Sequence, residues 1–505
     1  MILVKRAIVS VSSKEGLIPL CKALLDRNVE ILATSNTHAF LKQNGIPSVP
    51  ISEYTGFPEL IHGRVKTLHP KIFAGILARE SKDEVEEINR FDIGKIDLVC
   101  VNLYPFERVS EMTDKPDLWQ DEIDIGGVSL LRASAKNYQE CITLPDPSFY
   151  EGFLQELDQH DGSVTEAFSF LMMQQTYLKT GQYDLNIAKK FMGFDKKEIA
   201  FSIYQKVYPL RYGENPHQQG GYWNSIQDNS GLILGSQQLH GKELSYNNIL
   251  DTSMGLELLD EFEHPASVIV KHNNPCGVCE NDDLSVAYRH AYECDSVSAY
   301  GGVFLFNRQV TKEIAEHVHT IFAEIICAPS FSEEALAILT GKKNIRLLKR
   351  IQPILSESES RSVGNGVLIQ EKNKKLMNEI DIKNGKKISE SDLIDVSFGL
   401  KIVKHVKSNA IVVVKNRTTL GICGGQPNRI NSTMMSLKQA GEKANDAVLV
   451  SDAFFPFSDS LMEAKKANIK IVVEPGGSIR DSEIIDEAQK NDIILVFTGL
   501  RHFLH

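Results

Sequence analysis

Residues 7–43 read AIVSVSSKEGLIPLCKALLDRNVEILATSNTHAFLKQ, and their pattern decides the fold class. An apolar run from Ala7 to Val11 precedes a helix-period stretch from Lys14 to Asp26, a short strand from Val29 to Ala33 and a helix near His38 to Gln43. Strands alternating with helices predict a parallel sheet of the α/β class. A further strand, Ile96 to Asn102, runs into Leu103-Tyr104-Pro105, where proline stops the pattern. Open parallel sheets bind ligands beyond the carboxyl ends of their strands, so the polar segments after these strands are the first candidates for a site.

Moving outward, the pattern turns helical and polar from about Gly162 to Lys197, which places a domain boundary near residue 199. Beyond it, apolar strands at Ser267 to Val270, Gly302 to Phe306, Ala410 to Val414, Ala447 to Val450, Ile469 to Val473 and Ile493 to Phe497 predict a second parallel or mixed α/β domain. The polar segments Ser356 to Ser362 and Glu371 to Lys387 read as a surface connection that splits this half near residue 370. No fixed-period repeat stands out. Two or more domains suit a length of 505 residues, which exceeds what one core organises.

Bulk properties narrow the class. The first residues, MILVKRAIVS, lack the apolar stretch of a signal peptide, and runs such as Ala410 to Val414 are too short to span a bilayer. Eight scattered cysteines suit reduced thiols in a cytoplasm rather than a secreted disulfide framework. A formal net charge of −11 gives no long-range attraction to nucleic acid, which leaves small anions held in local basic pockets as the expected ligands.

The residues suited to such pockets fall into groups. Ser10, Ser12, Ser13 and Lys14 follow the first strand, and Thr34-Ser35-Asn36-Thr37 follows the second, so hydroxyls, backbone N–H groups and helix starts can converge on phosphate, with helix capping as the simpler reading. Gly63-Arg64-Val65-Lys66-Thr67-Leu68-His69-Pro70-Lys71 holds four cationic side chains and a hydroxyl within nine residues, able to clamp phosphate and polarise a carbonyl, or to form a solvated turn. Asp124-Ile125-Gly126-Gly127 introduces a helix carrying Arg132 and Lys136, so that an acid and a base can face one cleft.

In the second half, Lys271-His272-Asn273-Asn274-Pro275-Cys276-Gly277 follows a strand directly, and its imidazole is the side chain most suited to general-base work near pH 7. Pro275-Cys276-Gly277-Val278-Cys279 also matches half of a zinc deaminase signature, but no His-x-Glu occurs in the chain, so no catalytic metal is expected. Further polar strings, Arg211 to Gln218, Lys407 to Asn409, Gly424 to Arg429, Ser451 to Phe457 and Arg501 to Phe503, offer arginines, amides and aromatic faces.

Taken in order, SVSSKEG, YTGFPE, GRVKTLHP, NLYPF, DIGG, AKN, RYGENPHQ, LSYNN, VKHNNPCG, KSNAI, SDAFFPF, PGGSIRD and RHF resemble the bifunctional enzymes that join IMP cyclohydrolase to 5-aminoimidazole-4-carboxamide ribonucleotide (AICAR) formyltransferase. The resemblance implies a methylglyoxal-synthase-like cyclohydrolase domain at 1–199 and, at 200–505, a formyltransferase of two cytidine-deaminase-like subdomains. It implies 10-formyltetrahydrofolate as co-substrate, room for a structural monovalent cation, and a cytoplasmic homodimer. Among catalytic positions it carries over His272 as proton acceptor, Lys271 for charge stabilisation, Asn409 for orientation, Lys66 and Tyr104 at the reacting oxygen, and Asp124 with Lys136 for proton transfer. For substrate binding it implies Ser12, Lys14, Thr37, Arg64, Thr67 and Asn102 in the first domain, and Arg211, Tyr212, Arg429, Asp452, Phe454 and Arg501 in the second.

Two stretches depart from the family pattern. Thr34 to Thr37 stands where the family usually has Ser-Thr-Gly-Gly-Thr, and Leu171 to Thr180 lacks its usual arginine and histidine-threonine pattern. Because glycine permits positive φ beside a phosphate, the first departure supports an alternative: formyl transfer alone, with a catalytically weak N-terminal nucleotide-binding module.

Overall fold

The computed structural model describes residues 1–113, 115–192, 204–225, 235–352 and 357–505. The chain divides into two compact units, Met1–Ile203 and Tyr204–His505. The boundary read near residue 199 falls outside the described residues. Among the described residues, no helix is long and apolar enough to cross a membrane.

The first unit is built on a parallel sheet of β1 (Arg6–Val11), β2 (Glu30–Ala33), β3 (Val49–Pro50), β4 (Leu98–Asn102) and β5 (Ile142–Leu144), in the order β3-β2-β1-β4-β5. Its strands are apolar on both sides because both faces are covered, one by the core around Leu20, Ile31 and Phe153, the other by that around Ile8, Ile72 and Val99. The helices that matter for the site are α1 (Leu17–Leu25), α2 (Ser35–Gln43), α3 (Pro70–Leu77), α4 (Gly126–Lys136), α5 (Tyr150–Gln159) and α6 (Glu166–Met192).

Two helix starts differ from the sequence reading. α1 begins at Leu17 rather than Lys14, because Gly16 at φ 64° is left-handed and delays it. α2 begins at Ser35, so Ser35, Asn36 and Thr37 form its first turn rather than a loop.

The second unit carries β6 (Ser236–His240), α7 (Tyr246–Leu259), β7 (Ala266–Lys271), β8 (Asn274–Glu280), α8 (Leu284–Cys294), β9 (Gly302–Phe306), β10 (Ala323–Ala328) and β11 (Arg346–Arg350). The order then recurs as α9 (Glu390–Val403), β12 (Ile411–Lys415), β13 (Thr418–Cys423), α10 (Arg429–Ala440), β14 (Val448–Ser451), β15 (Ile471–Glu474) and β16 (Ile494–Phe497). All these strands lie in one mixed sheet, ordered β6-β11-β10-β9-β7-β8-β13-β12-β14-β15-β16 and closed by residues 381–382.

Each half is a helix, a tight hairpin, a second helix and a run of parallel strands, a structural repeat with no fixed-period counterpart in the sequence. Alternation along the hairpins explains the layering: Val268, Val270, Val412 and Val414 face a core shared with α7 and α9, whereas Ile269 and Ile411 face separate cores on the opposite side. The segment read as a surface connection near residue 370 carries an exposed antiparallel hairpin, Ser358–Val363 with Gly366–Glu371.

Candidate active sites

In the first unit the strand order reverses between β1 and β4, and the crevice beyond their carboxyl ends holds the expected residues. Asn102, at the end of β4, accepts the N–H groups of Ser12 (2.6 Å) and Ser13 (2.9 Å) on Oδ1 and donates to the Ser13 carbonyl at 3.0 Å. Those two N–H groups are therefore occupied, contrary to the expectation that they meet an anion directly. Lys14 folds back so that its ammonium donates to the Val11 carbonyl and, at 3.2 Å, to Thr37 Oγ1. Burial first, and then the charge of Lys66, lower the Lys14 pKa.

α2 opens onto the same crevice. Thr34 stands at its cap position, but its hydroxyl turns to Ser10 Oγ at 3.3 Å and makes no capping bond. The first N–H groups of a helix left uncapped in this way suit a phosphate. Neither Ser35 nor Asn36 adopts positive φ, so this turn needs no glycine for its conformation.

The cationic segment 63–71 divides. Ile61, His62 and Gly63 take positive φ in a turn closed by pairing of Leu60 with Val65, which presents Arg64 and Lys66. His69 instead caps α3 through Nδ1, accepting the Lys71 N–H at 3.1 Å, and the Lys71 ammonium lies 4.9 Å from the Tyr54 ring centre. Arg64 is exposed and pairs with Asp121 at 2.6 Å.

Asp124 sits before α4 and accepts the Gly127 N–H at 2.7 Å. Burial raises its pKa, opposed by that N–H, by Lys66 and by the Tyr104 N–H, so all three groups adjoin the carboxylate. The paired glycines of DIGG have a steric reason: a Cβ on Gly126 would stand 2.6 Å from Thr67 Oγ1, and one on Gly127 would stand 2.4 Å from Asp124 Oδ2. Lys136 is exposed at the far end of α4, roughly 18 Å along the helix axis from Asp124. The acid and base expected to face one cleft thus stand at opposite ends of this helix, as their spacing predicts.

In the second unit a cleft of about 410 Å³ gathers Arg211, Tyr212, Lys271 and His272, four of the nine residues expected at the formyl-transfer site. His272 and Asn273 form the two-residue turn between β7 and β8, with φ of 53° and 58°. Such a turn holds its side chains at the hairpin tip, and His272 is exposed there. Lys271 donates to the Tyr300 carbonyl at 2.6 Å, while the Arg211 guanidinium lies over the Tyr212 ring at 4.9 Å. The sequence reading missed Asp251, Glu324 and Arg346, which line the same cleft. Only Asp251 lay beside a quoted motif, LSYNN, and nothing in its spacing marked it.

A second group surrounds Arg429, which donates to Asp452 Oδ1 (2.7 Å), Asn409 Oδ1 (2.9 Å) and the Phe454 carbonyl (3.0 Å). Asn409 Nδ2 donates to the Gln426 carbonyl at 3.0 Å, so both ends of its amide are engaged. Asp452 is fully buried and also accepts from Ser408 at 2.6 Å. Arg501 is exposed, with its guanidinium 4.4 Å from the Phe503 ring centre.

These two groups lie on the same edge of the sheet. β7, β8, β13 and β12 are successively antiparallel, so the start of β12, next to Asn409, lies at the end where β7 reaches His272.

Comparison with known proteins gives two family matches. Residues 134–439 match a family described as AICARFT/IMPCHase bienzyme, and residues 16–129 match an MGS-like domain. The chain is 43% identical over its whole length, and the whole of the relative, to the bifunctional purine biosynthesis protein PurH of Ruminiclostridium cellulolyticum. It is 42% identical to that of Acetivibrio thermocellus, again over all of both chains, and 44% identical to that of Bacillus cytotoxicus over 99% of this chain and all of the relative. A solved structure described as the crystal structure of ForH is 33% identical, covering 37% of this chain and 99% of its own, with a TM-score of 0.34.

Proposed function

The chain belongs to the AICARFT/IMPCHase bienzyme family, and from that membership we propose how its residues share two reactions. It is a bifunctional enzyme of purine biosynthesis: AICAR is formylated from 10-formyltetrahydrofolate, and the formylated product is closed, with loss of water, to inosine monophosphate. The observation that carries the residue-level reading is the single cleft joining His272 and Lys271 to Arg211 and Tyr212.

In formyl transfer, the AICAR amine attacks the formyl carbon and His272 accepts the proton released from the nitrogen. Lys271 stabilises the negative charge that develops on the formyl oxygen in the tetrahedral intermediate, and the folate nitrogen leaves as that charge collapses, taking up the proton relayed by the His272-Lys271 pair. Arg211, Tyr212, Arg429, Asp452, Phe454 and Arg501 hold the nucleotide and folate, and Asn409 orients the reacting amide once substrate displaces its present partners.

In ring closure, the carboxamide nitrogen attacks the formyl carbon. Lys66 and Tyr104 act at the reacting oxygen, and Asp124 and Lys136 serve the proton transfers while Ser12, Lys14, Thr37, Arg64, Thr67 and Asn102 hold the ribonucleotide. The raised Asp124 pKa suits a carboxyl that must both take and return a proton. The alternative of a weak N-terminal module loses its ground, since Ser35 and Asn36 are helical without strain and the relatives are named bifunctional.

The domain division at 1–199 and 200–505, a cytoplasmic setting and a homodimer complete the proposal. The hairpin at 358–371 supports the dimer: Val363, Val367, Leu368 and Ile369 are each more than half exposed, and an isolated two-stranded hairpin is marginal without a partner surface. Among the described residues no group of three or more His, Cys, Asp or Glu could hold a metal ion, so a structural monovalent cation would need carbonyl and hydroxyl oxygens. No step passes through it.

Incubation of the chain with AICAR and 10-formyltetrahydrofolate should give inosine monophosphate by way of the formylated intermediate. Absence of both species overturns the reading, and light scattering that finds only monomer overturns the dimer.

A further inference from the structure

The second unit builds one turn twice. β7 passes to β8 through His272 and Asn273, and β12 passes to β13 through Asn416 and Arg417, with all four residues at φ between 53° and 58°. Neither turn contains the glycine that such turns favour, and side-chain-bearing residues resist this left-handed conformation. Each is held by an aspartate on the preceding helix. Asp251 accepts the Asn273 N–H at 2.6 Å, and Asp395 accepts the N–H groups of Asn416 (2.8 Å) and Arg417 (2.7 Å).

The supporting parts are duplicated as well. Four residues after each aspartate comes a glycine that lets its helix press on the sheet: a Cβ on Gly255 would stand 2.1 Å from Leu305, and one on Gly399 would stand 2.5 Å from Val450. The lysine before each turn donates to a backbone carbonyl, Lys271 to Tyr300 at 2.6 Å and Lys415 to Asn445 at 2.7 Å. What the second turn lacks is a histidine. The first turn alone sets an imidazole in the cleft with Arg211 and Tyr212, and Asp251 lines that cleft too.

We propose that Asp251 is a positioning residue for formyl transfer, fixing the His272-Asn273 turn so that the imidazole meets the substrate amine. Asp395 serves the same turn where no chemistry is done, and so provides an internal control for a purely structural role. The proposal rests on the reading of His272 as proton acceptor.

The test uses the full-length chain. D251N should lower kcat for formyl transfer by about 10- to 100-fold, the scale seen when a group orienting a working imidazole is lost. The KM for AICAR should stay within about twofold, and closure of supplied formylated intermediate should be unchanged. D395N should lower the melting temperature while formyl transfer stays within about twofold.

Adding N273G to D251N should restore much of the lost kcat, because glycine enters the left-handed region freely. Equal losses of formyl transfer in D251N and D395N, a KM effect with kcat retained, or no rescue by N273G would each overturn the proposal. If D251N does not fold, D251E, which keeps the charge but displaces it, is judged by the same kcat criterion. H272A separates the two readings: full activity there removes the premise, whereas inactivity there with an unimpaired D251N removes only the role of Asp251.

Discussion

Asn102 and Ser13, 89 residues apart in the chain, exchange two hydrogen bonds, Ser13 N–H to Asn102 Oδ1 at 2.9 Å and Asn102 Nδ2 to the Ser13 carbonyl at 3.0 Å. The pair fastens the loop after β1 to the end of β4 across the switch point of the sheet. Asn102→Asp keeps the acceptor but loses the donor and adds a negative charge beside an anion site. It should slow closure of supplied formylated intermediate by about 10-fold or more, at a cost of roughly 1 kcal/mol in stability, and leave formyl transfer intact. Steady-state rates of the two half-reactions measured separately check this.

His272→Ala should lower formyl transfer by roughly 100-fold while closure of supplied intermediate proceeds normally, and Lys66→Ala should do the reverse. Equal loss of both activities in either variant would mean that the two clefts do not act separately.

Gly126→Ala should disturb ring closure without touching the acid itself. The new methyl would stand 2.6 Å from Thr67 Oγ1, so either Thr67 or the start of α4 must move. About a 10-fold fall in the closure rate, with formyl transfer unchanged, is the expected result.

Glu474 predicts a pH dependence. It is buried behind Phe455, accepts the Phe455 N–H at 2.5 Å, and its carboxyl is pushed up to about 8, chiefly by burial. The folded state therefore keeps a proton that the unfolded chain releases above its ordinary value of 4.5. The associated stability is present below that value and is lost as pH rises toward 8, by roughly 4–5 kcal/mol over the window. Glu474→Gln should flatten the decline in melting temperature between pH 5 and about 8, as read by calorimetry across that range.

The fold class was legible because its signal is local. Apolar runs such as Ala7 to Val11 and Ala447 to Val450 alternate with helix-period segments, and buried parallel strands leave that pattern wherever the chain folds. Helix starts were less so, since Gly16 and the first turn of α2 depend on how each loop meets its neighbours. The cationic segment 63–71 misled for a related reason. Spacing counted four cations, but His69 became a helix cap and Lys71 a partner of Tyr54, because α3 starts at Pro70 and takes both residues into its first turn.

By itself, then, the sequence determined the alternation of elements, the family and the residue types able to do its chemistry, all properties of near neighbours in the chain. Only the tertiary structure decided which of them meet. It spent the Ser12 and Ser13 N–H groups on Asn102, turned His69 and Lys71 away into a cap and a ring contact, and repeated one aspartate-held turn with a histidine in the first copy alone. Contacts across 22 to 90 residues depend on strand order and helix register, which no local pattern specifies.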